Sequence, residues 1–189
     1  MDFVIATKNN GKLKEFERIL TPLGINCTAA NIPTVEETGK TFEENALLKA
    51  KAACEATGLP SIGDDSGLMA DALNGDPGIY SARYSGEHAS DGKNTAKLLK
   101  NLECHTNRTA RFVCAICCYF PDGSKITVTE FCEGTIAQKP IGQNGFGYDN
   151  VFLIASGKTF AQIDDITKDK LSHRGKALRA LFKGLQNIL

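Results

Sequence analysis

Two long runs, "ARFVCAICCYF" and "KITVTEFCEGTI", flank the turn "PDGS", and this pairing constrains the fold more than any other feature of the chain. Val, Ile, Thr and Phe suit a pleated ladder and the turn residues reverse the chain, so the runs read as paired strands. The first run reads as a buried strand, in which Cys114 and Cys117 are small hydrophobes. No second CxxC or neighbouring His completes a zinc set.

Around this pair the periodicity alternates between strand and helix. "DFVIAT" reads as a strand, "KNNG" as a turn, and Leu13, Phe16, Ile19, Leu20 and Leu23 as the apolar face of a first helix. Thr41 and Glu44 form a capping-box signature, followed by Phe42, Ala46, Ala50 and Ala53 at helical spacing. Gly58 and Pro60 stop that run, so a second helix spans about 41 to 57. Asp91 opens a third, with Ala96, Leu98, Leu99 and Leu102 as its buried stripe. "NGDPGIYSARYSGE", carrying Tyr80, Arg83 and Tyr84, reads as an ordered surface loop, and "PIGQNGFGYDN" as a glycine-rich loop. "SHRGKALRALFKGLQNIL" closes the chain as a helix with Leu178, Leu181, Leu185 and Ile188 inward. This order predicts an α/β fold with a mixed sheet, and 189 residues suit one domain over 1–189, with room for two lobes.

With 22 basic and 22 acidic residues there is no global field for nucleic acid or an anionic membrane, so an anionic ligand must meet a local cluster. The expected partner is a small molecule. Seven cysteines are an odd number, and "MDFVIATKNN" lacks a basic start followed by a long apolar run, so a reducing, cytoplasmic location is expected. No apolar stretch reaches the length of a membrane span.

Five segments carry candidate chemistry. "TKNNGK" lies where a strand gives way to a helix, a place that suits phosphate, with Lys8 and Lys12 adding charge; an ordinary Asn-Gly turn is the competing reading. "EETGKTFEENALLKAKA" puts Glu36 and Glu37 ahead of a helix that carries Lys49, and alone says little. "GDDSGL" offers hard oxygen ligands suited to magnesium, although one Asp capping a turn is equally open. If the segment is extended, Asp64 and Asp65 face opposite ways and at most one enters a given site. "SHRGKA" places His173 and Arg174 in a first helical turn, where the dipole disfavours cations, so a ligand or a nearby acid must compensate them. "GFGYD" sets Phe146 between two glycines as a stacking face or as a pin to the core.

In this order, and together with "DALNGDPGIYSARYSGE" and "RTARF", these segments resemble the inosine triphosphate pyrophosphatase family over almost the whole chain. The resemblance implies an elongated, two-lobed α/β fold around a central mixed sheet with flanking helices, an active site in the cleft between the lobes, and a homodimer. It implies hydrolysis of non-standard purine nucleoside triphosphates (ITP, dITP, XTP) to monophosphate and pyrophosphate. Thr7, Lys8, Asn9, Asn10, Gly11 and Lys12 would bind the triphosphate, and Lys49 would reach phosphate. Glu36 and Asp65 would hold Mg2+ with Glu37 beside them, Asp65 would be the catalytic general base, and Ser66 would touch the nucleotide. Phe146 would stack on the base, with Gly147, Tyr148 and Asp149 completing that wall, while Lys168, His173 and Arg174 read the purine. A donor such as Arg174 suits the six-position oxygen of hypoxanthine and leaves adenine's amino group unpaired. Lys8, where the family favours a small or neutral residue, and Gln162, where it favours an acid, depart from the pattern. A nucleotide-binding or sensing module without turnover, and a pyrophosphatase for modified pyrimidines, are the alternatives.

Overall fold

The computed structural model describes residues 2–29 and 35–186. Its elements are β1 (Asp2–Ile5), α1 (Asn10–Leu20), β2 (Asn26–Ala29), α2 (Phe42–Thr57), β3 (Ser61–Ala70), α3 (Asp91–Asn101), β4 (Thr109–Tyr119), β5 (Lys125–Ile136), β6 (Phe152–Leu153), α4 (Asp165–Leu171) and α5 (His173–Gln186). The strands form one sheet in the order β2-β1-β3-β4-β5-β6, with β1 parallel to β2 and β3, and β5 antiparallel to β6. The expected mixed α/β fold is therefore present. β4 and β5 join through the expected turn, where Phe120 N donates to Ser124 O at 3.0 Å and Gly123 takes φ 86°.

By packing, the chain divides into two compact units: Met1–Asp65, Cys114–Glu130 and His173–Leu189 form the first, Ser66–Val113 and Phe131–Ser172 the second. The core of the first contains Phe3, Ile5, Phe16, Leu20, Ile62 and Ile116 together with Leu178, Leu181 and Leu185 of α5. Those three leucines are the inward stripe expected of the closing helix, and Ile188 lies outside the described residues. Cys114, Cys117 and Cys118 are buried on β4, as the apolar run implies.

α2 lies against β3 through an almost featureless face. Ala46, Ala50 and Ala53 are fully buried, and a Cβ on Gly63 would fall 2.2 Å from Ala46 O and 2.6 Å from Ala50 N. Helix backbone and strand backbone thus approach where neither carries bulk. Thr41 caps α2 by accepting from Glu44 N at 3.2 Å, as expected, but Glu44 Oε2 reaches back to Lys40 N at 2.6 Å, one residue beyond the box. Gly58 ends the helix in the left-handed conformation, φ 68°.

The second unit packs Leu68, Leu98, Leu102, Phe112, Phe152 and Phe160 together, with the Phe112 and Phe152 rings 4.6 Å apart. Here α3 corrects the expected stripe: Ala96 is exposed, and Asn94 and Thr95 are buried beside Leu98. The reason is polar. Asn94 accepts from Ser85 N at 2.8 Å and donates to Ala82 O at 3.0 Å, so the helix is rotated to tie down the preceding loop. That loop is ordered as expected and contains a 3-10 helix over Gly78–Arg83.

Candidate active site

The two aspartates of "GDDSGL" lie within β3 and are both buried, not displayed on a turn. Alternation along the strand sends them to different partners. Asp64 accepts from Lys12 and Arg174, the latter at 2.9 Å, and from the Cys114 thiol at 3.0 Å. Arg174 also pairs with Glu15 of α1. Glu15, Asp64 and Arg174, all buried, and the half-buried Lys12 therefore form a network of two acids and two bases that links α1, β3 and the start of α5. Arg174 in the first turn of a helix needed negative charge, and these carboxylates supply it. Burial works against the Asp64 charge, yet Arg174 and Lys12 hold its carboxyl well below the usual range. Burial and the neighbouring Asp64 push the Cys114 thiol far up, so it stays protonated.

Asp65 belongs to a second cluster. Its Oδ1 accepts from Lys49 Nζ at 2.8 Å, and Lys49 also bonds Glu37 Oε1 at 2.9 Å. Its Oδ2 accepts from Asn45 Nδ2 at 3.2 Å. Asn45 and Lys49 are four residues apart on the close-packed face of α2, so the alanine contact is what brings both to the strand. Burial raises the Asp65 carboxyl above its ordinary value although Lys49 pulls it back. Burial also opposes charge on Lys49, but Asp65 and then Glu37 carry its value up. The pair is a buried carboxylate held against a cation.

Among the described residues no three His, Cys, Asp or Glu side chains converge on one point. The donor chemistry still fits a hard cation, because Glu37 and Asp65 already hold the Lys49 ammonium between them and present only oxygens. Magnesium needs only one or two carboxylates when water and substrate phosphate fill its remaining positions. Glu36 is exposed in the same loop, its carbonyl accepting from Thr38 N at 3.0 Å.

The remaining residues of the first unit are placed as follows. Thr7 Oγ1 accepts from Asn9 N at 3.1 Å, and Asn9 is the N-cap of α1, accepting from Lys12 N at 3.0 Å. Lys8 and Asn10 are exposed, Gly11 is half-buried, and His173 is buried at the start of α5.

In the second unit, Lys168 of α4 is buried, pairs with Asp149 at 2.6 Å and lies 4.6 Å from the centre of the Phe146 ring. Asp149 Oδ2 also accepts from Phe146 N at 2.9 Å, and Gly147 N donates to Asp91 at 2.6 Å. Gly145 takes φ 77°, and a Cβ there would fall 2.1 Å from Asp149 Oδ2, so only glycine fits this turn. Tyr148 is buried, with its hydroxyl donating to Ser81 O at 2.8 Å, and Ser66 is half-buried on β3. A cavity of about 180 Å³ is lined in part by Asp91, Phe146, Gly147, Asp149 and Asn150. Gln162, the departure from the family pattern, accepts from Thr159 N at 2.9 Å in a local capping box.

Sequence reasoning missed Glu15, Asn45 and Asp91. Only helical spacing, Glu15 three residues after Lys12 and Asn45 four before Lys49, hinted at the first two.

The chain is thus an α/β protein with a buried aspartate paired to a lysine in its first unit and an aromatic loop backed by a lysine in its second. The family model described as the Ham1 family matches residues 3–184, and the chain belongs to that family. It is 50% identical to a dITP/XTP pyrophosphatase of Exiguobacterium over 96% of this chain and 95% of the relative. It is 49% identical to the dITP/XTP pyrophosphatase of Geobacter sulfurreducens, covering 94% and 93%. Among solved structures, the Staphylococcus aureus Ham1 protein superposes with a TM-score of 0.89 at 42% identity, covering both chains fully. A HAM1 protein from Coxiella burnetii gives a TM-score of 0.90 at 39% identity over 99% of each chain.

Proposed function

We propose that the protein is a nucleoside triphosphate pyrophosphohydrolase that converts non-standard purine nucleotides, ITP, dITP and XTP, to the monophosphate and pyrophosphate and so clears them from the nucleotide pool. The observation that carries this reading is the Glu37–Lys49–Asp65 cluster, in a chain half identical to a relative named a dITP/XTP pyrophosphatase.

Asp65 accepts a proton from the water that attacks the α-phosphorus, a task aided by the burial that raises its carboxyl. Lys49 holds the carboxylate oriented and offers its charge to the phosphates, as do Lys12 and the "TKNNGK" backbone. Glu36, Glu37 and Asp65 would hold magnesium, which when bound supplies neutralising charge for the phosphate oxygens and the departing pyrophosphate. Phe146 stacks on the base and Lys168, steadied by Asp149, offers it a donor. Ser66, Gly147, Tyr148, His173 and Arg174 are further substrate contacts. The protein acts as a homodimer in the cytoplasm; no described helix is long and apolar enough to cross a membrane.

The test follows pyrophosphate and orthophosphate separately, with magnesium, from ITP, XTP, dITP, ATP and GTP. Pyrophosphate from the first three, little from ATP or GTP, and no turnover with retained nucleotide binding in Asp65→Asn are expected. Orthophosphate, or equal turnover of all five, would refute the reading; binding without turnover in the native protein would favour a sensor.

A further inference from the structure

Asn45 is completely buried near the start of α2, a place where an amide costs stability unless both of its ends are bonded. Both are. Gly39 N donates to Oδ1 at 2.8 Å, and Nδ2 donates to Asp65 Oδ2 at 3.2 Å. The orientation of the amide follows from chemistry, because a backbone N–H can only donate and a carboxylate can only accept.

Gly39 makes this contact by a close approach. A Cβ there would fall 2.6 Å from Asn45 Oδ1 and 2.7 Å from Glu44 Cβ, so the loop lies flush on the helix only because residue 39 has no side chain. The next residue is clipped to the same turn, with Lys40 N donating to Glu44 Oε2. The loop that carries Glu36 and Glu37 and the carboxylate of Asp65 thus share one anchor. With Oδ1 on Lys49 and Oδ2 on Asn45, the Asp65 carboxylate is held at both oxygens.

We propose that Asn45 is a positioning residue of the reaction: it locks the Asp65 carboxylate and the Glu36–Glu37 loop in one register, so that base and cation-binding oxygens are placed together before substrate arrives. This rests on the pyrophosphohydrolase reading above. Asn45 acts through Asp65 and the loop, without touching substrate, and so governs kcat and cation affinity more than nucleotide binding.

The test uses Asn45→Leu, which keeps the bulk and removes both hydrogen bonds, and Gly39→Ala, which pushes the loop off the helix while leaving Asn45 intact. Four quantities are read: the melting temperature, kcat and KM for pyrophosphate release from dITP, and the Mn2+ dissociation constant of the nucleotide-free protein from water proton relaxation. For Asn45→Leu, kcat per folded molecule falls about 100-fold while KM stays within about threefold, as expected when placement and not binding is lost. Mn2+ affinity falls about tenfold in both variants, the size typical when a group supporting a metal ligand is removed. A lower melting temperature with kcat and Mn2+ affinity unchanged would overturn the proposal and leave Asn45 a structural clip. If Asn45→Leu does not fold, Gly39→Ala decides through Mn2+ affinity, and native affinity there overturns the proposal. Should the unaltered protein release no pyrophosphate, the functional reading fails, whereas the Mn2+ comparison still decides the role of Asn45.

Discussion

Replacing Gly63 by Ala tests whether the bare contact between α2 and β3 sets the candidate site. The added Cβ would lie 2.2 Å from Ala46 O, against an ordinary contact beginning at 3.4 Å, so backbone must separate by about 1.2 Å. Neither partner is a flexible side-chain end. Ala50 N, at 2.6 Å, blocks relief along the helix. Overpacking of this kind costs about 1–3 kcal/mol, and the rigid backbone on both sides places this case at about 3 kcal/mol. For a chain of this size that lowers the melting temperature by about 6–12 °C. The same shift moves Asn45 and Lys49 off Asp65, and a displacement of about 1 Å at a reacting group costs about 100-fold in turnover. The assay is a thermal melt paired with pyrophosphate release below the melting range. A variant with native melting temperature and kcat within about threefold of native would refute the reasoning, since the strand and helix would then have slack.

Other outcomes follow from the two charged clusters and the thiols. Asp64→Asn strands Lys12 and Arg174 and is expected to cost about 3–5 kcal/mol in urea unfolding, whereas Asp65→Asn, which removes a carboxylate that burial already disfavours, leaves stability near native. Because the folded Asp64 carboxyl is held well below its usual value, its stabilisation is complete above about pH 4 and is lost as pH falls through the folded value. Unfolding followed from pH 6 downward should therefore show a loss of stability below about pH 4 that Asp64→Asn lacks. Cys104 is exposed while Cys54, Cys114, Cys117, Cys118 and Cys132 are buried, with Cys118 pushed up to about 12 by burial, so a thiol reagent should label Cys104 first in the folded protein. Rapid labelling of Cys114 would contradict the buried network.

Apart from the short apolar β1, the elements most legible in the sequence were those whose period is sustained. β4, β5, α2 and α5 each run long enough for alternation, caps or a leucine stripe to override local ambiguity. β2 and β6, of four and two residues, and α4, whose seven residues are mostly polar, carry no such signal. α3 was found but rotated, because Asn94 is buried by hydrogen bonds that hydrophobic periodicity does not register. At the site, strand alternation said that Asp64 and Asp65 part company, while the choice of Asp65 for the site came from the family resemblance. That Arg174 meets Glu15 was not legible, since residues 159 positions apart are joined only by the packed fold. Asn45 escaped for a similar reason: its meaning lies in Gly39 and Asp65, neither of which announces an amide between them.

The charged quartet of Glu15, Lys12, Asp64 and Arg174 also gives the first unit a second adhesive beside its apolar core, with different thermal behaviour. Apolar packing around Phe3, Phe16 and Leu178 weakens on cooling, as the hydration of hydrocarbon becomes less unfavourable. The penalty for stripping water from charged groups shrinks on heating, so the quartet gains weight there. With Glu15, Asp64 and Arg174 out of solvent, it is screened little by salt. The grip of α1 and α5 on β3 thus passes in part from oil to ions as the temperature rises, and the acid next to Asp65 in the chain is held throughout.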